Sequence, residues 1–562
     1  MAEISKDVIK AYALENAVKY EGKASQGAVL AGLFSEGLDK SKIKETIPLI
    51  VKVLNEVNSI SPDKQKELLE KSEIKTSKRE VREGLKELPN AKKNHVVMRL
   101  APFPSGPLHI GNARAAILNH EYCKMYNGKF LLVMDDTIGS EAKPIEPEAY
   151  KLIKEGIEWL GIDFGGKPIY KSDRTEKYYA YAEELIKKGY MYVCHCNQEE
   201  MHELKVKGIE CSCRQLDGEE QLKRWEKMFT APVGSMTVRL KTSMQDPDPA
   251  FRDRVMFKIS ERPHPRTKDK YRVYPSMDFS WAIDDHLFGV THVLRGTDLQ
   301  TSTRVQDFIR KIFGWKNPET VNNGLFAIEG VKISKSKGAL EVKSKKYFGW
   351  NDPRTWSLQS LRDRGIQSEA IREFILNLGM RKTNIKVPID SLYTINKKLL
   401  DDAPRYFFVE DPRKIAISGC PKIKAKIPLH PSKKLGNREY ETNQTFLIPG
   451  KDADQIISGD FRLMHLLSFK ADNTERIKFP TLSFVSKEPS PNAKPKFMQW
   501  LPYGAGNPDV KIIMPDGSTI EGKGEPDLKK LKIGDIIQFE RFGFVRLHKK
   551  HKDYLEFWFA HS

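Results

Sequence analysis

The chain has 562 residues, 94 Lys and Arg against 75 Asp and Glu, and a formal net charge of +19. That length exceeds what one hydrophobic core usually spans and predicts roughly three or four domains. An apolar share of 39% with 30% charged residues describes a folded, water-soluble chain. The N-terminal residues lack the apolar core of a signal peptide and no stretch reaches a membrane-spanning length, so the expected place is the cytoplasm, with no membrane partner. The positive excess suits a polyanion, nucleic acid first, although lysine kept for solubility would give the same number. Four of the six cysteines bunch as Cys194, Cys196, Cys211 and Cys213. Bunching of that kind argues against a secreted disulfide framework and points to metal.

In chain order, residues 1–75 read as helices. Ile4, Val8, Ala11 and Val18 share one face, and Ile47, Leu49, Ile50, Val53 and Leu54 form a second apolar run. Residues 76–94 carry Lys78, Arg79, Glu80, Arg82, Glu83 and Lys86 and read as a charged linker or exposed helix. A β-prone run at 95–100 meets the breaker-rich 101–107, and a helix follows from Leu108. A second apolar run, 130–134, ends in Asp135-Asp136-Thr137, and helices then alternate with short strands to about residue 330. Alternation of this kind favours a parallel α/β core. Its two halves are placed at 95–192 and 271–345, around an insert at 193–270. Residues 346–405 are helical in pattern. From 406 to 562 short β runs such as 481–485, 510–514, 536–539 and 555–559 predict one or two small β-barrels.

The chemistry concentrates at Ser105-Gly106-Pro107-Leu108-His109-Ile110-Gly111-Asn112, where strand gives way to helix. Free N–H groups at a helix N-terminus receive phosphate, Gly111 lets a flat base approach the backbone, and His109 can donate to phosphate oxygens. Far down the chain Lys332-Ile333-Ser334-Lys335-Ser336 follows a strand-like stretch. Alone it would be an exposed basic loop. Attack of a carboxylate on an α-phosphate builds negative charge on the phosphoryl oxygens and the departing pyrophosphate, which such cations stabilise. The cysteine cluster could place four thiolates about 2.3 Å from Zn²⁺ in a closed, structural site. His195 or His202 in place of one ligand, and a set of reduced thiols without metal, are the alternatives.

The pair of motifs resembles the HIGH and KMSKS signatures of class I aminoacyl-tRNA synthetases, which grip ATP from opposite sides. The resemblance implies a multidomain fold, α/β plus all-β: a Rossmann-type catalytic core with an N-terminal helical domain and C-terminal β-barrels. It implies catalytic roles for His109, Gly111, Lys332 and Lys335, and ATP contacts from these together with Ser105, Gly106, Asn112 and Ser334, with Mg²⁺ on the phosphates. Arg99-Leu-Ala101-Pro-Phe-Pro-Ser-Gly106 is similar to the RFAPSPTG pattern of the glutamyl enzymes, with Phe103 replacing a serine. That places Arg99 and Ala101 at the amino acid, and Asp135, at the acidic position of the RIEDTD pattern, beside its ammonium. The run 274–298 resembles the glutamyl and glutaminyl subfamily throughout, with Tyr274 as a further pocket residue. Arg295 suits a side-chain carboxylate; a bound glutamine would leave it as an unpaired buried charge. Met277 stands where many relatives have tyrosine and Trp281 where the bacterial form has asparagine, so no role carries over to either.

Resemblance runs from about residue 95 to 562, through Trp350-Asn-Asp-Pro-Arg354 and Gln538-Phe-Glu-Arg541. The β-rich tail is of the archaeal type; bacterial glutamyl enzymes carry a helical anticodon-binding region instead. The implied partners are glutamate, ATP and tRNA-Glu, with tRNA-Gln left open, and the insert is implied to meet the acceptor end. A glutaminyl-tRNA synthetase and a catalytically silent tRNA-binding protein are the rival readings.

Overall fold

The computed structural model describes residues 5–19, 22–36, 38, 42–72, 84–138, 143–331, 335–472, 480–489 and 494–562. Ile4 and residues 76–83 of the charged linker lie outside them. The chain forms two compact units, Met1–Gly84 and Leu85–Ser562.

The first unit holds four helices, α1 (Lys6–Lys19), α2 (Gln26–Ser35), α3 (Ile43–Asn58) and α4 (Pro62–Glu70). Their apolar faces meet in a core of Ile9, Leu14, Val29, Leu33, Ile50 and Val53. Buried Gln65 ties three segments together, its amide donating to the carbonyls of Gly22, Val57 and Ile60.

In the second unit, β1 (Val97–Leu100), α5 (Ile110–Met125) and β2 (Lys129–Met134) form a βαβ turn in which β1 and β2 run parallel. After α6 (Pro147–Trp159), the short β3 (Ile169–Tyr170) extends the sheet on the far side of β2. Its chain then leaves the sheet through α7 (Thr175–Lys187) into an insert. There β4 (Met191–Cys194), α8 (Gln198–Lys207), α9 (Gly218–Met228), β5 (Thr237–Leu240), β6 (Val255–Ile259) and β7 (Val273–Pro275) build a four-stranded antiparallel sheet in chain order. That sheet spans Met191 to Pro275, because the strand carrying Cys194 starts before the cysteine.

The chain returns through α10 (Met277–Leu287) to β8 (His292–Gly296), which starts beside β1: Thr291 N–H donates to Val97 O at 2.9 Å. After α11 (Gln300–Phe313), β9 (Glu319–Asn323) pairs with β8 in parallel. Parallel strands need covered faces, and α5 supplies one: Ala113, Ala116 and Ile117 pack into a core with Met98, Leu132 and Met134. A short β10 (Phe326–Ile328) precedes α12 (Lys335–Lys343), and α13 (Leu358–Arg364) and α14 (Ser368–Leu378) follow. Next, β11 (Ile385–Val387) pairs back onto β10, and α15 (Asp390–Leu399) completes the helical stretch.

From Arg405 the chain is almost all strand. A seven-stranded sheet is built from two short strands at 405–410 and from strands of 509–561. Smaller sheets of residues 413–502 enclose a second core around Phe446, Phe461, Phe469 and Trp500. Phe544 and Ala560 belong to the same core as Met98 and Leu108 of the α/β part.

Candidate active site

β1 delivers the chain to a tight turn, and α5 opens with His109 as its N-cap. His109 N–H donates to Asn112 Oδ1 (3.3 Å) and Asn112 N–H to His109 O (2.8 Å), closing the first turn. A Cβ at Gly111 would come within 2.9 Å of His109 Cε1, so glycine there lets the imidazole lie across the helix start. Buried Ser105 Oγ has no partner among the described residues. The first-turn N–H groups and the positive end of the helix dipole face the same loop, an arrangement that favours phosphate.

Lys332 and Ser334 lie outside the described residues, as does the Lys335 side chain; α12 begins at Lys335. Even so, the two motif regions meet through one indole. A Cβ on Gly106 would stand 2.8 Å from Trp350 Cη2, and one on Gly338 would stand 3.3 Å from its Cζ3. Trp350 therefore excludes a side chain at Gly106 and leaves little room for one at Gly338. Its segment is stitched to the first motif by backbone bonds: Ile110 N–H to Trp356 O (3.4 Å) and Leu358 N–H to Leu108 O (2.8 Å).

Beneath this loop lies a buried network of charges. Arg99 on β1 donates from Nε and Nη2 to the two oxygens of Asp285 on α10, at 2.5 and 3.0 Å. Arg310 on α11 shares Asp285 (3.1 Å) and also takes Asp307 (3.0 Å). Two cations stand over the Trp281 ring, with Arg99 Cζ 3.5 Å and Lys171 Nζ 3.6 Å from ring centroids. Trp281 Nε1 donates to Asp135 Oδ2 (3.1 Å), while Lys171 Nζ contacts Asp135 Oδ1 (3.0 Å) and donates to Ser280 Oγ (2.8 Å). Complete burial lowers the Lys171 ammonium, offset by Asp135 and Asp284. Neighbouring Asp136, with no exposed surface, anchors the loop by accepting from Ser172 N–H, Ser172 Oγ and Tyr150 OH; burial raises its carboxyl.

Arg295 closes β8. It donates from Nη1 to Thr303 Oγ1 (2.8 Å) and from Nη2 to Gln306 Oε1 (3.0 Å), and no carboxylate pairs with it among the described residues. Burial and the nearby Arg99 push its guanidinium down to about 10.

Asp135 lines a cavity of about 460 Å³ with Phe103, Lys143, Lys258, Ser276 and Met277. Of the residues expected at the amino acid, Arg99, Asp135 and Arg295 enter one electrostatic network. Ala101 packs with Trp281, Leu131 and Val133. Tyr274 is placed differently: it is buried on β7 and its hydroxyl donates to Tyr271 O at 2.9 Å, while Met277 lines the cavity. The β-strand alternation around Pro275 turns the Tyr274 ring into the insert. Lys171, Trp281, Asp285 and Arg310 were absent from the sequence-based set because their partners lie on other elements, with no spacing that a motif could show.

In the insert, Cys194, Cys196, Cys211 and Cys213 bring their Sγ atoms within 4.8 Å of one another, and the Cys194–Cys211 pair is 3.9 Å apart. Tetrahedral ligands at about 2.3 Å stand roughly 3.8 Å apart, so the four thiols fit one Zn²⁺. Neither His195 nor His202 belongs to the group, and both are exposed. Three of the four cysteines are buried, as a closed structural site requires.

A parallel α/β core with a glycine-lined helix start, an antiparallel insert and a β-built C-terminal region is the architecture of a class I aminoacyl-tRNA synthetase. Residues 95–402 match the catalytic domain of "tRNA synthetases class I (E and Q)", and 403–481 and 481–548 match anti-codon binding domains of the same group. Among curated relatives, a glutamate–tRNA ligase of Methanocaldococcus jannaschii is 42% identical over 552 residues, 98% of either chain. That of Pyrococcus abyssi is 43% identical over 97% of this chain and 98% of its own, and that of Thermococcus kodakarensis 40% identical over the full length of both. The chain belongs to the E and Q family of class I tRNA synthetases, in its glutamate–tRNA ligase branch. No helix among the described residues is long and apolar enough to cross a membrane.

Proposed function

We propose that this chain activates glutamate with ATP, giving glutamyl-adenylate and pyrophosphate, and then transfers the glutamyl group to the 3′ end of tRNA-Glu in the cytoplasm. The α-carboxylate of glutamate attacks the α-phosphorus and pyrophosphate leaves; a terminal ribose hydroxyl of the tRNA then attacks the acyl carbon and AMP leaves. Ser105, Gly106, His109, Gly111 and Asn112 form one wall for ATP, and Lys332, Ser334 and Lys335 the other. Mg²⁺ arriving with the nucleotide would supply further neutralisation of phosphate charge beside these residues. The protein contributes positioning and charge stabilisation, with no nucleophile of its own.

Asp135 receives the ammonium of glutamate with the oxygen lone pairs that Lys171 and Trp281 leave open. Arg99 keeps the Nη1 side that Asp285 does not engage. Tyr274 acts from behind by shaping the β7 backbone. Four thiolates, Cys194, Cys196, Cys211 and Cys213, hold a structural Zn²⁺ that fixes the insert near the tRNA acceptor end.

The observation that carries the choice of glutamate is Arg295: a half-buried guanidinium held only by neutral acceptors. A carboxylate completes that site, whereas an amide leaves the cation unpaired. Charging of purified tRNA-Glu with glutamate against glutamine, with pyrophosphate exchange measured in the presence of tRNA, tests the reading. Preference for glutamate by a large factor is expected. Equal or better charging with glutamine overturns the substrate, and no adenylate formation by folded protein with tRNA overturns the enzyme.

A further inference from the structure

Three arginines share the amino-acid site, and the protein treats one of them differently. Arg99 and Arg310 both rest on Asp285, and Arg310 also on Asp307. Arg295 is held by Thr303 and Gln306, two uncharged side chains on the first half of α11. Gln306 is 1% exposed. With its Oε1 committed to Arg295, its Nε2 is left as a buried donor without an acceptor among the described residues, and Arg295 Nε is left the same way. A fold selecting only for stability would avoid a buried orphan donor, or would answer Arg295 with a carboxylate.

We infer that Gln306 is a positioning residue for substrate selection: with Thr303 it fixes the plane of the Arg295 guanidinium while leaving its charge unspent for the side-chain carboxylate of glutamate. This rests on the glutamate reading given above. Glutamate at position 306 would have the same length and an equally good acceptor oxygen, but would cancel the charge. The neutral amide is therefore the feature that matters. Charged groups facing Arg295 from the packed elements are Arg99 of β1, Asp285 of α10, and Asp307 and Arg310 of α11. Their two negative and three positive charges, Arg295 included, leave one positive charge for the ligand.

The test compares wild type, Gln306→Glu and Gln306→Met in pyrophosphate exchange with tRNA present, varying glutamate, glutamine and ATP separately, with thermal melting as a check on folding. Gln306→Glu should raise the KM for glutamate by at least about 30-fold, as cancelling one buried charge partner predicts, with the KM for ATP within about twofold. It should also shift the glutamine-to-glutamate ratio of kcat/KM toward glutamine by at least about tenfold. Gln306→Met, which loses the acceptor but keeps the charge, should raise the KM for glutamate by about three- to tenfold and move that ratio much less. A ratio unchanged in Gln306→Glu, or parallel losses for glutamate and ATP, overturns the inference by showing a merely structural side chain. If Gln306→Glu does not fold, Gln306→Met decides: a rise confined to glutamate supports the inference, and a uniform or absent change overturns it. Failure of the wild type to prefer glutamate is recognisable in the same plate and refutes the underlying substrate reading instead.

Discussion

Trp281 shows how a single side chain can organise a site without offering the substrate anything. Two cations brought together in this buried place would repel; the electron-rich indole attracts both, worth about 0.5–2 kcal/mol per contact. Its Nε1 meanwhile pins Asp135. Trp281→Phe keeps an aromatic face and loses the hydrogen bond, so steady-state kinetics should show the KM for glutamate rising about tenfold, with a smaller loss of stability than Leu causes. Trp281→Leu removes the aromatic ring and should cost ~3 kcal/mol of stability by urea unfolding. A larger kinetic effect from Leu with no loss of stability would contradict this account. Arg99, Asp135 and Arg295 are named by resemblance to the glutamyl enzymes, and the structure places all three around one buried group of charges. Sequence alone could not reach Lys171 or Asp285, because the pairs Lys171–Asp135 and Arg99–Asp285 each join residues far apart in the chain, and no local spacing records such a meeting.

The segment from Trp350 through α13 is the element on which the two motif regions depend. Its indole occupies the space that Gly106 and Gly338 leave empty, and seven-residue α13 carries the chain only about 10 Å further. Trp350→Leu would leave both glycines facing a void. The expected result is a roughly tenfold higher KM for ATP in pyrophosphate exchange, with the KM for glutamate changed by less than about twofold, since positioning errors near 1 Å are costly in catalysis. Equal rises for both substrates would mean a general loss of structure. The insert supplies a second prediction. Its four thiols converge from one strand end and one short turn, so metal analysis should find one zinc per chain. Cys194→Ser should reduce that content and expose residues 195–216 to proteolysis, whereas a metal-free wild type of full stability would refute the zinc site. The α/β alternation and the β-rich tail were legible as elements because hydrophobic periods of 3.6 and 2 mark them directly. How β8 comes to lie beside β1 was not, because the crossing depends on a bond between residues 97 and 291.

Across the molecule the β-built C-terminal region is not an independent appendage of the catalytic part. Arg364, with no exposed surface, donates from Nε to Phe559 O (3.1 Å) and from Nη2 to Ala560 O (2.9 Å) and to Tyr393 OH (3.0 Å). Asn396 Nδ2 meets His561 Nε2 at 2.9 Å, and Arg546 reaches Asp363. Arg364→Met should strand two buried carbonyls and cost about 2–4 kcal/mol. Calorimetry should still show residues 85–562 melting in one transition at a lower temperature; a separate, earlier transition for the C-terminal strands would show that the shared core is not cooperative.

That shared core sets an order on biosynthesis. The strand Tyr554–His561 packs Ala560 against side chains laid down from Leu88 onward, so a nascent polypeptide emerging from the ribosome holds an unfinished nucleotide fold until that strand has cleared the exit tunnel. A translation product interrupted before residue 554 would leave that core open and expose apolar surface that chaperones and proteases recognise.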